Sequence, residues 1–243
     1  MKKTILLLLF IIVSFSSLKA QESTVSGSSS GGIYIGGKIG YGIVNFAAIT
    51  NADVKFAETS YNNLSYGILG GYKLNSLLSF QLEANYAQYG ARKIVATYLY
   101  SPQSPVLANV GSNSTIDHVD MNLYNIDVPL TVRLTLGEGG VSPYIYGGAN
   151  LGINASARTL IVRKITFNDV IEYRTSRDNI TPRIIQNEFA PIVGGGVVVK
   201  MFNLSFFGDV RYKYGIKNLS NVDNHLGFTS SAIWVSAGFL FDI

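Results

Sequence analysis

Apolar and polar residues alternate with a period of two along most of the chain. This period is typical of β-strands whose two faces meet different surroundings, and no stretch has a convincing helical period. In the clearest case, Asp209, Arg211 and Lys213 alternate with apolar or aromatic residues. Between Tyr86 and Tyr89 the alternation slips, which predicts a β-bulge. Eight such stretches predict eight strands, at 32–44, 64–74, 77–90, 121–136, 142–157, 188–202, 204–218 and 230–243.

The connections between these strands alternate in length. Short turns follow the second, fourth and sixth strands, near Asn75-Ser76, Gly137–Gly140 and Phe202-Asn203. Long connections follow the others, at about 45–63, 91–120, 158–187 and 219–229. Short turns at one end and long loops at the other are typical of outer-membrane barrels. The chain is therefore predicted to be all-β: an eight-stranded antiparallel up-and-down transmembrane β-barrel with short periplasmic turns and long extracellular loops.

The third long connection contains a further hairpin pattern, TLIVRKITF and VIEYR, with Asn168-Asp169 between the two halves. These could be two more membrane strands, which would make ten. One of the adjacent residues Arg163 and Lys164 would then face lipid, at a cost of about 2–4 kcal/mol at the bilayer midplane. We therefore expect a hairpin that extends above the membrane.

Composition indicates which face points outward. Hydrophobic residues make up 47% of the chain and Asp, Glu, Lys and Arg only 14%, against about a quarter in soluble domains. A soluble lipocalin-like barrel has a polar exterior, whereas the few strand charges here fit a small, mutually paired lumen. The apolar and aromatic face then meets lipid. The predicted lumen network is Lys38, Glu83, Asp127, Arg133, Asp209, Arg211 and Lys213, with Glu83, Asp127, Arg133 and Arg211 at its centre.

The N-terminal residues have the three-part pattern of a secretory signal peptide: two lysines, an apolar run, and small or polar residues up to Ala20. The apolar run is too short to span about 30 Å as a helix. The predicted organisation is a cleaved signal peptide at 1–20, a flexible Ser- and Gly-rich segment at 21–31 and the barrel domain at 32–243. Three of the 19 basic residues lie in the signal, so 16 basic residues then face 15 acidic ones. Such a balance gives no reason to expect a nucleic-acid partner.

The chain offers little catalytic chemistry. It has no cysteine, which excludes thiolate metal sites, and its glycine runs lie inside predicted strands, where glycine allows twist or packing beside an aromatic ring. His118 lies between Asp117 and Asp120, so a His–carboxylate pair at the rim is conceivable; the other histidine is His225. No nucleophile motif accompanies them. We expect no enzyme activity, no cofactor and no metal.

The third long loop is rich in cations. Its basic residues outnumber the acidic residues Asp169, Glu172 and Asp178. One interpretation is a solvated hairpin; the other is contact with lipopolysaccharide phosphates or an acidic partner through charge-assisted hydrogen bonds. The candidate external binding loop comprises Arg158, Arg163, Lys164, Arg174, Arg177 and Arg183.

Three segments, LEANYAQYGAR, YNIDVPLTVR and DVRYKYGIKNL, resemble recurring segments of the PorT-like, or porin-family, outer-membrane β-barrel proteins. The resemblance runs over nearly all of residues 32–243. It implies an eight-stranded barrel in the outer membrane of a Gram-negative, Bacteroidetes-type bacterium, and for most members it implies no known activity. Such barrels often end in an aromatic residue, whereas here Ile243 is last and Phe241 stands two residues before it.

Together these features predict an outer-membrane barrel with a structural, adhesive or loop-mediated binding role. Eight strands leave an interior just wide enough for side chains, so we expect a plugged lumen. A narrow porin-like channel for small solutes and a part in a secretion or gliding apparatus are the alternatives; a rim enzyme and a soluble lipocalin-like binder are less favoured. The expected partners are outer-membrane lipids, with lipopolysaccharide as a candidate, and the barrel-assembly machinery during biogenesis.

Overall fold

The computed structural model describes residues 32–48, 59–60, 63–94, 114–137, 139–167, 170–217, 219 and 228–243. The predicted signal peptide and flexible segment lie outside the described residues. No helix in the described part of the chain is long and apolar enough to cross a membrane. The strands are β1 (Gly32–Ala48), β2 (Thr59–Ser60), β3 (Asn63–Lys73), β4 (Leu78–Ile94), β5 (Ser114–Thr135), β6 (Val141–Phe167), β7 (Val170–Asn179), β8 (Asn187–Met201), β9 (Leu204–Tyr214) and β10 (Phe228–Asp242), with a short 3-10 helix at Thr181–Arg183.

Eight of these strands close into an antiparallel ring. Neighbours pair in the order β1, β3, β4, β5, β6, β8, β9 and β10, and β10 pairs with β1 to complete it. Closure satisfies the backbone groups that an open sheet edge would present to lipid. The eight predicted strands are confirmed. The ten-stranded alternative is wrong, because β7 pairs with β6 off the ring.

The turns confirm the predicted asymmetry at one end of the barrel. Short connections join β3 to β4, β5 to β6 and β8 to β9. Gly137 adopts a φ of 99° in one of them, a left-handed conformation that glycine adopts readily because it has no Cβ. Phe202, in the two-residue β8–β9 turn, has a φ of 56°.

The strands are longer at the other end than the sequence predicted. β5 begins at Ser114 and β6 continues to Phe167, with Ser114 opposite Ile165. Beyond the apolar band both faces of a strand can carry polar residues, so the alternation fades although the backbone pairing continues. We call the part formed by residues 114–120 of β5, 158–167 of β6 and all of β7 the hairpin extension.

The predicted bulge near Tyr86–Tyr89 is wrong in position. These residues pair in unbroken register with β5, from Tyr86 opposite Ile126 to Tyr89 opposite Leu123, and the irregularity lies between Ala91 and Ile94. The slip in the sequence arises because Tyr89 is a buried aromatic residue on the inward face.

The outer face of the ring is apolar and aromatic. Ile39 and Ile68 on this face are 61% and 70% exposed, and Tyr66, Tyr86 and Tyr124 form a row of ring contacts across β3, β4 and β5. A continuous apolar surface of this kind is unfavourable in water and suits the hydrocarbon of a bilayer, with aromatic residues at its interfaces. The alternation thus predicted the outward face of the strands correctly.

Candidate functional site

The centre of the lumen is organised around Glu83. Its carboxylate accepts two hydrogen bonds from Arg211, Nη1 at 3.0 Å and Nη2 at 2.5 Å, and one from Lys38 Nζ at 3.1 Å. Gln81 and Asn85 donate at 2.8 Å each. All five side chains are buried. They meet because each occupies an inward position on β1, β4 or β9, and the ring brings those positions to one level.

A second cluster lies around Lys213, towards the long-loop end. Its ammonium group contacts Glu188 Oε2 at 2.7 Å, the Tyr89 hydroxyl at 3.0 Å and Asp127 Oδ1 at 3.5 Å. Tyr89 donates a short hydrogen bond to Asp127, and Ser230 donates to Glu188 Oε1 at 2.7 Å. This arrangement gives each buried charge the partners that make its burial tolerable.

Glu188 also lies in the lumen, although the predicted lumen network did not include it. It is fully buried and gives the lumen four acidic residues to match four basic ones. Its strand is apolar on both faces, with Ala190 and Ile192 inward and Phe189 and Val193 outward. Alternation therefore gave no signal for its direction.

The seven predicted lumen residues are all buried, but they do not form one network. Arg133 was expected at the centre and lies instead near the short-turn end, because it is two residues from the end of β5 and opposite Ser79. Its guanidinium stacks on the Tyr144 ring at 3.6 Å. Asp209 accepts a hydrogen bond from Tyr146 at 3.3 Å, and the same hydroxyl accepts one from Arg211 Nε at 3.0 Å, so among the described residues Asp209 joins the Glu83 cluster only through Tyr146. Neither charge has an ion pair with another described residue.

Apolar layers close the lumen on both sides of the charges. On the long-loop side, Tyr89 and Trp234 pack with Ile180 and Ile184, which flank the 3-10 helix, and with Leu219. On the short-turn side, a second cluster contains Tyr34, Leu69, Tyr144, Tyr146, Val198, Phe207 and Leu240. The cavity beside the central charges measures about 20 Å³, which is the size of a water site.

Glycines make room for the aromatic side chains of these layers. A Cβ on Gly71 would overlap the Tyr34 ring, and a Cβ on Gly194 would overlap the Tyr146 ring. The neighbouring Gly70 is different, since the nearest atom to its Cβ would be 3.8 Å away. The sequence-based interpretation of glycine packing beside an aromatic ring applies to Gly71 and Gly194.

The hairpin extension carries the predicted external cations. Arg158, Arg174 and Arg177 are exposed, whereas Arg163 and Lys164 are partly buried; the side chain of Arg183 lies outside the described residues. Glu172 Oε1 accepts a hydrogen bond from Arg174 Nε at 3.0 Å, and this bond raises the pKa of Arg174. The six residues therefore do not converge on one point.

Two of the arginines share an outward-facing groove. Arg158 of β6 lies opposite Asn122 of β5, and Arg177 of β7 lies opposite Leu160 of β6. The groove has a volume of about 570 Å³, and its wall also contains Tyr124 and the acidic residues Asp120 and Asp178. Neither arginine forms an ion pair with another described residue.

The predicted His–carboxylate pair at the rim is a contact between His118 and Asp117. His118 Nδ1 lies 2.7 Å from Asp117 Oδ2, and both side chains are partly exposed; His225 lies outside the described residues. The described residues contain no group of three His, Cys, Asp or Glu side chains placed to hold a metal ion.

Comparison with known proteins gives one match at the level of family. The family described as outer membrane protein beta-barrel domain matches residues 19–221. No curated protein matches the chain.

Solved structures similar to this chain are small barrels. OprG from Pseudomonas aeruginosa has a TM-score of 0.50 at 11% identity, with 90% of this chain and 99% of that chain covered. Neisserial surface protein A has a TM-score of 0.44 at 16% identity, covering 88% and 99%. Ail of Yersinia pestis, solved with the heparin analogue sucrose octasulfate, has a TM-score of 0.40 at 13% identity, covering 86% and 99%. At these identities the similarity concerns the fold alone.

Proposed function

Because this chain belongs to the outer membrane protein beta-barrel domain family, we propose that it is a closed outer-membrane scaffold that binds partners through its hairpin extension. Its location is the outer membrane. The observation that carries the proposal is a contrast between two regions. The central lumen charges are buried and paired, whereas Arg158 and Arg177 of the extension are exposed and have no ion pair with another described residue. Rigid scaffolds with binding residues at their rims are common among proteins.

The filled lumen favours a plugged barrel rather than a channel. A solute would have to displace the bidentate contact between Arg211 and Glu83 as well as apolar layers on both sides. Removing one partner of such a buried pair is strongly unfavourable. We expect planar-bilayer recordings of the purified protein to show no large, stable conductance, with a porin reconstituted in the same way as positive control. A large, stable conductance would favour the narrow-channel alternative.

The groove on the hairpin extension supports an anionic partner at the membrane surface. Tyr124 belongs to the aromatic row on the outer face, and aromatic rows mark the level of the membrane interface. Arg158 and Arg177 line the same groove as Tyr124, and the carboxylates of Asp120 and Asp178 line it too, so the two guanidinium groups and not a net positive charge would hold an anion there. A guanidinium group binds a phosphate through two parallel hydrogen bonds. We therefore assign lipopolysaccharide phosphates as the preferred ligand of this groove.

The test is lipopolysaccharide binding by the double variant Arg158→Gln/Arg177→Gln. Loss of two charge-assisted contacts is expected to weaken binding at least about tenfold, and added salt should weaken binding by the native protein more than by the variant. Arg174→Gln is the matched control, because it removes an exposed arginine that already pairs with Glu172. Equal binding by the double variant and the native protein would contradict this assignment.

The segments that resemble PorT-like proteins support a finer placement, in the PorT-like branch of Bacteroidetes-type bacteria, and with it the alternative of a secretion or gliding apparatus. Recovery of components of such an apparatus with the native barrel from solubilised outer membranes would favour that alternative. We further propose that the protein is not an enzyme, since no nucleophile motif accompanies the contact between His118 and Asp117. His118→Ala is expected to leave any lipid or peptide turnover unchanged.

A further inference from the structure

The short-turn end of the lumen contains an open, basic cavity of about 90 Å³. Short turns are periplasmic in outer-membrane barrels, so this cavity opens to the periplasm. A water needs on the order of 10–15 Å³ of such space, so the cavity holds several waters or one small solute. Its polar lining includes Lys73, Ser79, Arg133, Lys200, Ser205 and Asp242.

Arg133 is the unusual member of this lining. The residue is 7% exposed, and the Tyr144 ring covers one face of the guanidinium. The edge of the guanidinium lacks a hydrogen bond, because Nε is buried without a hydrogen-bond partner. Among the described residues Arg133 has no ion pair, and Asp209, the other lumen charge without one, bonds to Tyr146, which bonds to Arg211. A buried guanidinium without a counter-charge is costly, and an anion would remove that cost.

The remaining charges of the cavity are also predominantly positive. Lys73 Nζ is paired with Asp242 Oδ1 at 2.5 Å, which neutralises that lysine. Lys200 is exposed and has no ion pair among the described residues. Arg133 and Lys200 thus leave a local excess of two positive charges. Ser79 and Ser205 add hydroxyl donors beside them.

We propose that this cavity at the periplasmic end binds a small, free oxyanion of the phosphate or sulfate class. The Arg133 edge would donate to the anion, Lys200 would attract it from the periplasm, and the serine hydroxyls would complete its hydrogen bonds. A lipid headgroup offers the same chemistry. However, the walls are inward-facing side chains such as Tyr34, Ser79 and Ser205, so the cavity opens away from the lipid face and admits a solute.

The experiment is calorimetric titration of the refolded full chain in detergent with inorganic phosphate. Saturable one-site binding is expected. Arg133→Gln should weaken it at least about tenfold, and Lys200→Gln by a smaller factor of about two to five, since an exposed lysine acts through a screened charge. Lys217→Gln is the matched control, an exposed lysine near the opposite end of β9, and should bind as the native protein does.

Each outcome decides the matter. Absence of saturable binding by the native protein, or equal binding by a folded Arg133→Gln variant, overturns the proposal. If Arg133→Gln does not refold, judged by the gel shift between unboiled and boiled samples, the comparison of Lys200→Gln with Lys217→Gln carries the test, and equal weakening by both overturns it. The titration is repeated with phosphatidylglycerol in the micelle. Unchanged phosphate affinity in the presence of the lipid supports a free ion as the ligand. Weaker phosphate binding, through competition, would show that the ligand is the lipid headgroup.

Discussion

The lumen and the hairpin extension both place arginines on β-strands, but the two regions use them in opposite ways. In the lumen, Arg211 is buried and bound through two nitrogens to Glu83. On the extension, Arg158 and Arg177 are exposed and have no ion pair with a described residue. Where water is excluded, an unpaired charge costs several kcal/mol, so partners are built into the fold. Where water remains, an unpaired guanidinium costs little and stays available to a ligand.

This difference separates stability from binding. Substitution of a lumen charge should change the free energy of unfolding, because its partners cannot reach water. Substitution of an exposed arginine on the extension should change ligand affinity and leave folding almost unaffected. Arg133 combines features of both regions. It is buried, as Arg211 is, but, as with Arg158, no described residue forms an ion pair with it.

The largest effect is expected for Glu83→Gln. The amide keeps the shape of the side chain but removes the negative charge, leaving Lys38 and Arg211 buried together without their counter-ion. Breaking a buried pair in this way costs about 3–5 kcal/mol. Urea unfolding in lipid vesicles, followed by the gel mobility of unboiled samples, measures the change. A loss below about 1 kcal/mol, the range of surface pairs, would show that the lumen network does not stabilise the barrel.

The fold was predictable because the membrane enforces a strict alternation. In the segment containing Asp209, Arg211 and Lys213, every second residue meets lipid, and the polar set could only point inward. The predicted short turns followed from the same reasoning. The hairpin extension was less predictable in its bounds, since its strands carry polar residues on both faces, as β7 shows, in which every residue except Asp178 is exposed.

The arrangement within the lumen was less accessible from the sequence. Alternation identifies an inward position but not its height along the barrel, so Arg133 was placed at the centre although it lies at the periplasmic mouth. Glu188 was missed because both faces of β8 are apolar. Tyr89 was taken for part of a bulge, although its hydroxyl joins Lys213 and Asp127. Height and pairing depend on strand register, which only the closed ring defines.

An intermediate loss of stability is expected for a substitution that changes packing in the lumen without changing a charge. It would show how much of the stability of the lumen comes from packing and how much from ion pairs. Gly71→Ala would place a methyl group against the Tyr34 ring and the backbone carbonyl of Phe80. Overpacking of a filled interior typically costs about 1–3 kcal/mol, measured by the same unfolding assay. Gly70→Ala is the adjacent control, since its Cβ would find its nearest neighbour at an ordinary 3.8 Å. Equal destabilisation by both variants would mean that strand propensity, and not the filling of the lumen, controls stability.

The smallest effect is expected for Glu172→Gln, the counterpart of Glu83→Gln on the extension. Glu172 pairs with Arg174 at 3.0 Å, about as closely as Glu83 pairs with Lys38 at 3.1 Å, but both side chains of the Glu172–Arg174 pair are exposed. Water solvates the guanidinium once the carboxylate charge is gone, so the unfolding midpoint should not move measurably. The raised pKa of Arg174 also adds no pH dependence, because a guanidinium is protonated at every pH at which the barrel is studied. A shift as large as that of Glu83→Gln would show that distance, and not exclusion of water, sets the value of these pairs.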